Sequence, residues 1–111
     1  MAASKTAIIN LVKNYISVLK ENNISIEKVL LFGSYMKGQQ REDSDIDIAI
    51  VSPVFKGNRY LDRRVIVPLR RGIDSRIEPV PFTPEDFAKG GILIDEIKRT
   101  GEEIITRSPA L

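Results

Sequence analysis

The chain has 111 residues, of which 42% are hydrophobic and 29% charged, a balance typical of one folded domain over residues 1–111. It contains neither cysteine nor histidine, which excludes disulfides, thiolate metal sites and imidazole acid–base chemistry. The net charge of +2 is too small to indicate nucleic-acid binding. No apolar run approaches the ~20 residues that span a bilayer, and no signal-peptide pattern is present. We therefore expect a cytoplasmic protein.

The first predicted element is an amphipathic helix. Ser4 is placed to cap its start, and Asn22-Asn23 suits its end. Its apolar side chains recur at the spacing of one helical face and therefore predict a core-facing stripe: Ile8, Leu11, Val12, Tyr15, Ile16 and Leu19.

Two predicted strands follow the helix. Lys28–Phe32 is a short apolar run bounded by Gly33, which is typical of a buried strand. We expect a helical turn from Ser34 and then a polar loop. Ile46–Val51 predicts the second strand, which ends before Pro53 because proline cannot donate to a sheet ladder.

The segment after the second strand predicts a helix from Asn58 to about Val67, which Pro68 should end or kink. Arg76–Phe82 follows as an extended segment. It contains two prolines, so it should pair on one side only at those points or lie at a sheet edge.

Thr83-Pro84 has the form of a helix start, with a cap residue followed by proline. A last helix from Gly91 to Thr100 should stop at Gly101, and Glu103 to Thr106 predicts a short edge strand. The order of elements implies an α/β or α+β fold, in which helices cover a small mixed sheet of three to four strands.

The chemistry is carried by Gly33-Ser34 and by the pair Asp45 and Asp47. Gly33 lets the backbone approach a ligand closely, and the N–H groups and hydroxyl that follow can hold a phosphate. The two aspartates share one face of a strand, about 6.6 Å apart along it. Such a pair can share one Mg²⁺ or Mn²⁺, and a third carboxylate would allow two ions.

This pattern resembles the minimal nucleotidyltransferase domains of the DNA polymerase β-like nucleotidyltransferase superfamily. An apolar residue, Gly33-Ser34, a ten-residue spacer and Asp45-Ile46-Asp47 follow the family signature, and Gly38 and Ser44 match common positions. The resemblance implies a nucleotidyltransferase fold that binds ATP or another nucleoside triphosphate through Gly33, Ser34 and Ser44. It also implies Mg²⁺-dependent transfer of a nucleoside monophosphate, such as AMP, to a hydroxyl.

The family uses a third carboxylate from a later strand for its two metal ions and its catalysis. Glu78 is our first choice, beside Asp45 and Asp47. Asp74 has the same strand parity and is the second choice, whereas Asp86 should lie on the following helix. The alternative interpretation of Glu78 is a surface carboxylate paired with Arg76 or with an arginine of a helix.

The resemblance also bears on partners. Small domains of this kind pair with a helical protein as the antitoxin of a toxin–antitoxin system, and they can adenylylate that partner. An edge strand leaves homo-oligomers open. A binding module on the same fold, with weak or no catalysis, is the alternative function.

Five arginines cluster between the second and third strands. They could bind phosphate, RNA or an acidic partner, but Tyr60 is the one aromatic residue among them, whereas single-strand binding uses several aromatic residues that interleave with basic ones. We therefore expect a solvated face paired with Asp62, Glu78 or other acids, and no nucleic-acid partner. The five are Arg59, Arg63, Arg64, Arg70 and Arg71.

Overall fold

The computed structural model describes residues 4–33 and 44–106. In these ranges the chain forms four strands, four α-helices and a 3-10 turn at Val67–Arg70. In chain order the helices and strands are α1 (Lys5–Glu21), β1 (Lys28–Phe32), β2 (Ile46–Val51), α2 (Arg59–Ile66), β3 (Ile77–Phe82), α3 (Pro84–Lys89), α4 (Ile92–Thr100) and β4 (Glu102–Thr106).

The strands form one mixed sheet in the order β3-β2-β1-β4. The pairs β1–β2 and β1–β4 are antiparallel, whereas β2 and β3 are parallel. The predicted fold class, a small mixed sheet with helices packed on it, is confirmed. Because β2 lies inside the sheet, residues at its start have neighbours on both sides.

Helix α1 covers one face of the sheet with the predicted apolar stripe. Ser4 caps the helix by accepting a hydrogen bond from the Ala7 N–H at 3.2 Å. Asn23, which follows the end of the helix, has a left-handed φ of 65°. The buried stripe residues are Ile8, Val12, Tyr15, Ile16 and Leu19, and Leu11 packs against them partly buried. Helices α3 and α4 cover the other face, where a second apolar cluster contains Phe82, Phe87 and Ile97.

Strand β3 lies at an edge of the sheet, as its prolines predict. The carbonyls of Arg76 and Phe82 accept hydrogen bonds from Ile46 and Ser52 at the two ends of β2. Even-numbered residues of β3 therefore turn their backbone groups toward β2. Pro79 and Pro81 consequently face the open side, where the missing N–H interrupts no ladder.

Two helix ends differ in detail from the sequence prediction. Helix α2 ends at Ile66, and Pro68 lies in the 3-10 turn, where it causes the expected stop. Gly101 ends α4, but with φ of −79° rather than a left-handed conformation. The reason for glycine is space, because a Cβ would lie 2.6 Å from the Ile97 carbonyl oxygen and 3.1 Å from that of Leu31. Among the helices described, none combines the length and apolarity that would let it span a bilayer.

Candidate active site

Two aspartates lie at the start of β2. Asp45 is exposed and precedes the strand, whereas Asp47 lies within it and is half-buried. Ile46 and Ile48 are fully buried in the cluster that α1 covers. Because side chains alternate along a strand, Asp47 projects from the opposite face of the sheet.

Asp47 lies between the two neighbouring strands. It is paired in register with Phe32 of β1 and with Glu78 of β3. Burial raises the pKa of the Asp47 carboxyl above its usual value, and the negative charges of Asp45 and Glu78 raise this pKa further. At the start of β2, negatively charged carboxylates are therefore poorly solvated and repel one another. A divalent cation would relieve both effects.

Gly33 directly follows β1 and faces this carboxylate. Its φ is +79°, a left-handed conformation that favours glycine. A Cβ at this position would overlap Asp47 Oδ2 and would lie 3.1 Å from Asp47 Cγ. The glycine thus allows the backbone after β1 to approach the aspartate.

Glu78 lies beside the aspartates, but two arginines hold its carboxylate. Arg63 Nη2 donates to Oε2 at 3.2 Å, and Arg70 Nη1 donates to Oε1 at 3.1 Å. The same guanidinium groups also donate to the carbonyls of Pro79 and Ile77 on the open edge of β3. Glu78 therefore combines proximity to Asp47 with the pairing to a helix arginine that the alternative interpretation expects.

The other two candidates for a third carboxylate have different surroundings. Asp74 accepts three hydrogen bonds from Arg76, from the backbone N–H and from Nε and Nη2, at 2.8–3.0 Å. These bonds lower the pKa of Asp74 despite the opposing effect of burial. Asp86 lies on α3, as expected, and is exposed.

Part of the phosphate-binding prediction falls outside residues 4–33 and 44–106. Ser34 and Gly38 lie there. Ser44 is described and directly precedes Asp45. The roles of Ser34 and Ser44 in nucleotide binding remain predictions.

The carboxylates at the start of β2 fit a metal ion only in part. In the part of the chain that the structure describes, no three acidic side chains converge closely enough to hold one. Asp45 and Asp47 fit a divalent cation by their chemistry and their mutual repulsion. Glu78 could become a third ligand only after exchanging an arginine for the ion.

The interpretation of the arginine cluster is correct for Arg63 and Arg70, which pair with Glu78. The part that concerns Asp62 is wrong. Asp62 is buried and accepts the backbone N–H groups of Lys56 and Gly57 at 2.9–3.1 Å. This carboxylate ties the loop before α2 to the helix.

A small cavity of about 150 Å³ lies beside Gly33, and its lining was not foreseen from the sequence. Helix α4 provides one side of it with Leu93, Glu96 and Thr100, and Phe32 provides part of the other. The helical spacing of these α4 residues indicates a shared face, but the sequence gives no sign that this face borders the glycine.

A family model, polymerase beta nucleotidyltransferase, matches residues 13–110. The chain therefore belongs to the polymerase β nucleotidyltransferase family. A protein of Methanocaldococcus jannaschii whose assigned name is protein adenylyltransferase is 46% identical over 44 residues, which cover 39% of this chain and 44% of that protein. The matched region is thus less than half of the relative's length.

Solved structures share the fold at lower identity. A toxin–antitoxin structure with AMP-PNP aligns with a TM-score of 0.61 and 23% identity, over 89% of this chain and 73% of that one. A structure from Sulfolobus solfataricus described as a nucleotidyltransferase aligns with a TM-score of 0.65 and 20% identity, over 92% of this chain and 83% of that one. These similarities establish the nucleotidyltransferase fold.

Proposed function

We propose that this chain transfers a nucleoside monophosphate, AMP from ATP in the first instance, to a hydroxyl group of a partner protein. One observation carries the proposal. Asp47 is a partly desolvated carboxylate that its neighbours push toward protonation, and it faces a glycine that leaves the site open. Membership of the family supports the class of reaction.

Asp45 and Asp47 would hold Mg²⁺, with Glu78 as the candidate third ligand. The bound ions would neutralise the triphosphate and the leaving pyrophosphate. Gly33, Ser34 and Ser44 would hold the phosphates. The acceptor oxygen forms a bond to the α-phosphorus while the bond from that phosphorus to the bridging oxygen breaks. Pyrophosphate leaves with the electron pair, and Glu78 is the candidate carboxylate that takes the hydroxyl proton.

The choice of ATP and of a protein acceptor is supported by the relatives. The name of the M. jannaschii relative specifies a protein adenylyltransferase, and one structural neighbour is a toxin–antitoxin structure with AMP-PNP. We infer that this chain serves as the antitoxin of such a pair. Its activity would then depend on the partner that carries the acceptor.

Calorimetric titration of ATP, with and without Mg²⁺, tests the site in the isolated chain. Wild type should bind ATP in a metal-dependent manner, and Asp45→Asn/Asp47→Asn should lose that dependence. Glu85→Gln/Asp86→Asn is the matched control, because it removes two charges from exposed positions of α3. Equal metal-dependent binding by wild type and the double variant would refute the assignment. Labelled ATP with a co-purified partner then tests transfer.

A second candidate function, nucleotide or partner binding without turnover, is favoured by the arginines that hold both oxygens of Glu78. Under this second function wild type should bind Mg·ATP but should transfer no label to the partner. Loss of transfer in Glu78→Gln, with ATP binding retained, would support the catalytic role instead. Asp74→Asn in the same assay distinguishes the two candidate carboxylates.

A further inference from the structure

Helix α2 and the loop before it present an apolar surface to solvent. We call this surface the α2 patch: Val54, Tyr60, Leu61 and Val65, which are 49%, 70%, 41% and 59% exposed. Leu61 and Val65 are one helical turn apart and so share a face. Clustered apolar exposure of this kind marks interaction surfaces more often than isolated exposed residues do.

A groove lies on each side of α2. One, of about 390 Å³, is lined by the apolar residues Ile24, Val54, Phe55, Leu61 and Val65 together with Lys56, Asp62 and Arg64. The other, of about 430 Å³, is lined by Tyr60, Arg63, Arg64, Val67 and Pro68. A ridge flanked by two grooves has the shape against which another helix packs its rows of side chains.

The rim of the α2 patch is basic. Lys56 and Arg64 are exposed and line the first groove, and within residues 4–33 and 44–106 neither of them forms an ion pair. Arg64 lies over the Tyr60 ring at 5.8 Å, so that its charge borders the apolar surface. The acid of α2, Asp62, is buried and bonded to backbone. Asp62 also lines the first groove, but backbone N–H groups of Lys56 and Gly57 hold its carboxylate, so the exposed charges of the patch are those of Lys56 and Arg64.

We propose that the α2 patch docks an acidic amphipathic helix of a partner protein. This inference rests on the proposed function, since it specifies where the partner binds. Aliphatic side chains around Tyr60 suit a protein better than a nucleic acid, which needs stacking surfaces. A twofold dimer through the patch would bring two basic rims together, so a second copy is disfavoured. Arg63 of the same helix reaches Glu78, so the docking surface adjoins the candidate site.

Chemical-shift mapping of the ¹⁵N-labelled full chain tests the proposal without nucleotide or metal. The probe is a synthetic peptide of about 20 residues, long enough to be helical, with leucines on one face and glutamates elsewhere. A second peptide replaces every glutamate with lysine. The acidic peptide should shift resonances of residues 54–68 saturably, and the lysine peptide should not.

Charge reversal provides the sharper control. Lys56→Glu/Arg64→Glu should weaken binding of the acidic peptide tenfold or more and should create binding of the lysine peptide. Leu61→Glu should also weaken the acidic peptide, whereas Ile92→Glu, at an exposed apolar position of α4, should not. Thermal unfolding of each variant identifies any that fail to fold, and the charge-reversed pair then decides, because it must gain a ligand.

Several outcomes would overturn the proposal. These are shifts outside the α2 patch, no saturable binding up to about 1 mM peptide, equal binding of both peptides, or self-association through the same residues. Failure of the proposed function is distinguishable, because Asp47→Asn should bind the acidic peptide as wild type does. If the chain binds the peptide but not Mg·ATP, the docking proposal stands and the proposed function is refuted.

Discussion

Replacing Gly33 with alanine should destabilise the protein through two separable effects. The first is backbone strain, because φ of +79° costs an L-residue about 1–2 kcal/mol. The second is overlap of the new Cβ with the Asp47 carboxylate, and forced overlaps in packed structure cost about 1–3 kcal/mol. Gly33→Ala should therefore lower the free energy of unfolding by about 2–5 kcal/mol.

A double-mutant cycle separates the two effects. In an Asp47→Ala background the carboxylate is gone, and only the backbone strain and a residual contact with Asp47 Cβ at 3.2 Å remain. Gly33→Ala should then cost about 1–2 kcal/mol, which gives a coupling of about 1–3 kcal/mol between the two positions. Urea unfolding at neutral pH without divalent cations measures all four corners.

Two other glycines provide matched controls. Gly57 has φ of +82°, and its Cβ would meet only ordinary contacts from 3.5 Å, so Gly57→Ala should report the strain alone. A Cβ at Gly72 would meet nothing within 4 Å, so Gly72→Ala should change stability by less than about 0.5 kcal/mol. If Gly33→Ala costs the same with and without the Asp47 carboxylate, the close approach of these residues is not real.

Three further predictions concern stability. The pKa of Asp47 is raised on folding. Ionisation of this carboxyl therefore destabilises the native state as the pH rises from the ordinary pKa of 3.8 through the pKa in the folded protein. Asp47→Asn should consequently have a higher melting temperature than wild type at pH 7 without metal, and the difference should vanish in acid. A higher melting temperature for wild type at pH 7 would contradict this. Tyr15 donates to the Ile66 carbonyl at 2.6 Å in the core, so Tyr15→Phe should cost about 1–2 kcal/mol in urea unfolding, whereas exposed Tyr60→Phe should not. Asp62→Ala leaves two backbone N–H groups without their acceptor and should lower the free energy of unfolding by about 2–3 kcal/mol, with an intermediate loss for Asp62→Asn. Equal stability of the three proteins would exclude a role for Asp62 in anchoring the loop before α2.

Local physical rules were sufficient for most elements of the fold. The stripe of α1 follows from a repeat of 3.6 residues, and its ends follow from Ser4 and Asn23, which satisfy or redirect the backbone there. Short apolar runs predicted β1 and β2 because both are buried in the interior of the sheet. Pro79 and Pro81 predicted an edge position for β3, since proline cannot donate to a ladder.

The candidate site divides in a similar way. Gly33, Asp45 and Asp47 could be selected from residue type and spacing, because a strand alternates and a glycine admits close approach. Strand parity predicts Glu78, but its two arginine partners depend on the position of α2 and the following turn against the open edge of β3. The α4 wall of the small cavity also depends on how helices pack on the sheet.

The sequence by itself thus determined the helices, the strands and the residue types that can hold a phosphate and a metal, since these follow from short-range periodicity and side-chain chemistry. Only the tertiary structure decided which charges meet. Glu78 pairs with arginines 15 and 8 residues before it, and Asp47 lies against the glycine that follows β1. Such contacts depend on strand order and register, which are properties of the whole sheet rather than of any one segment.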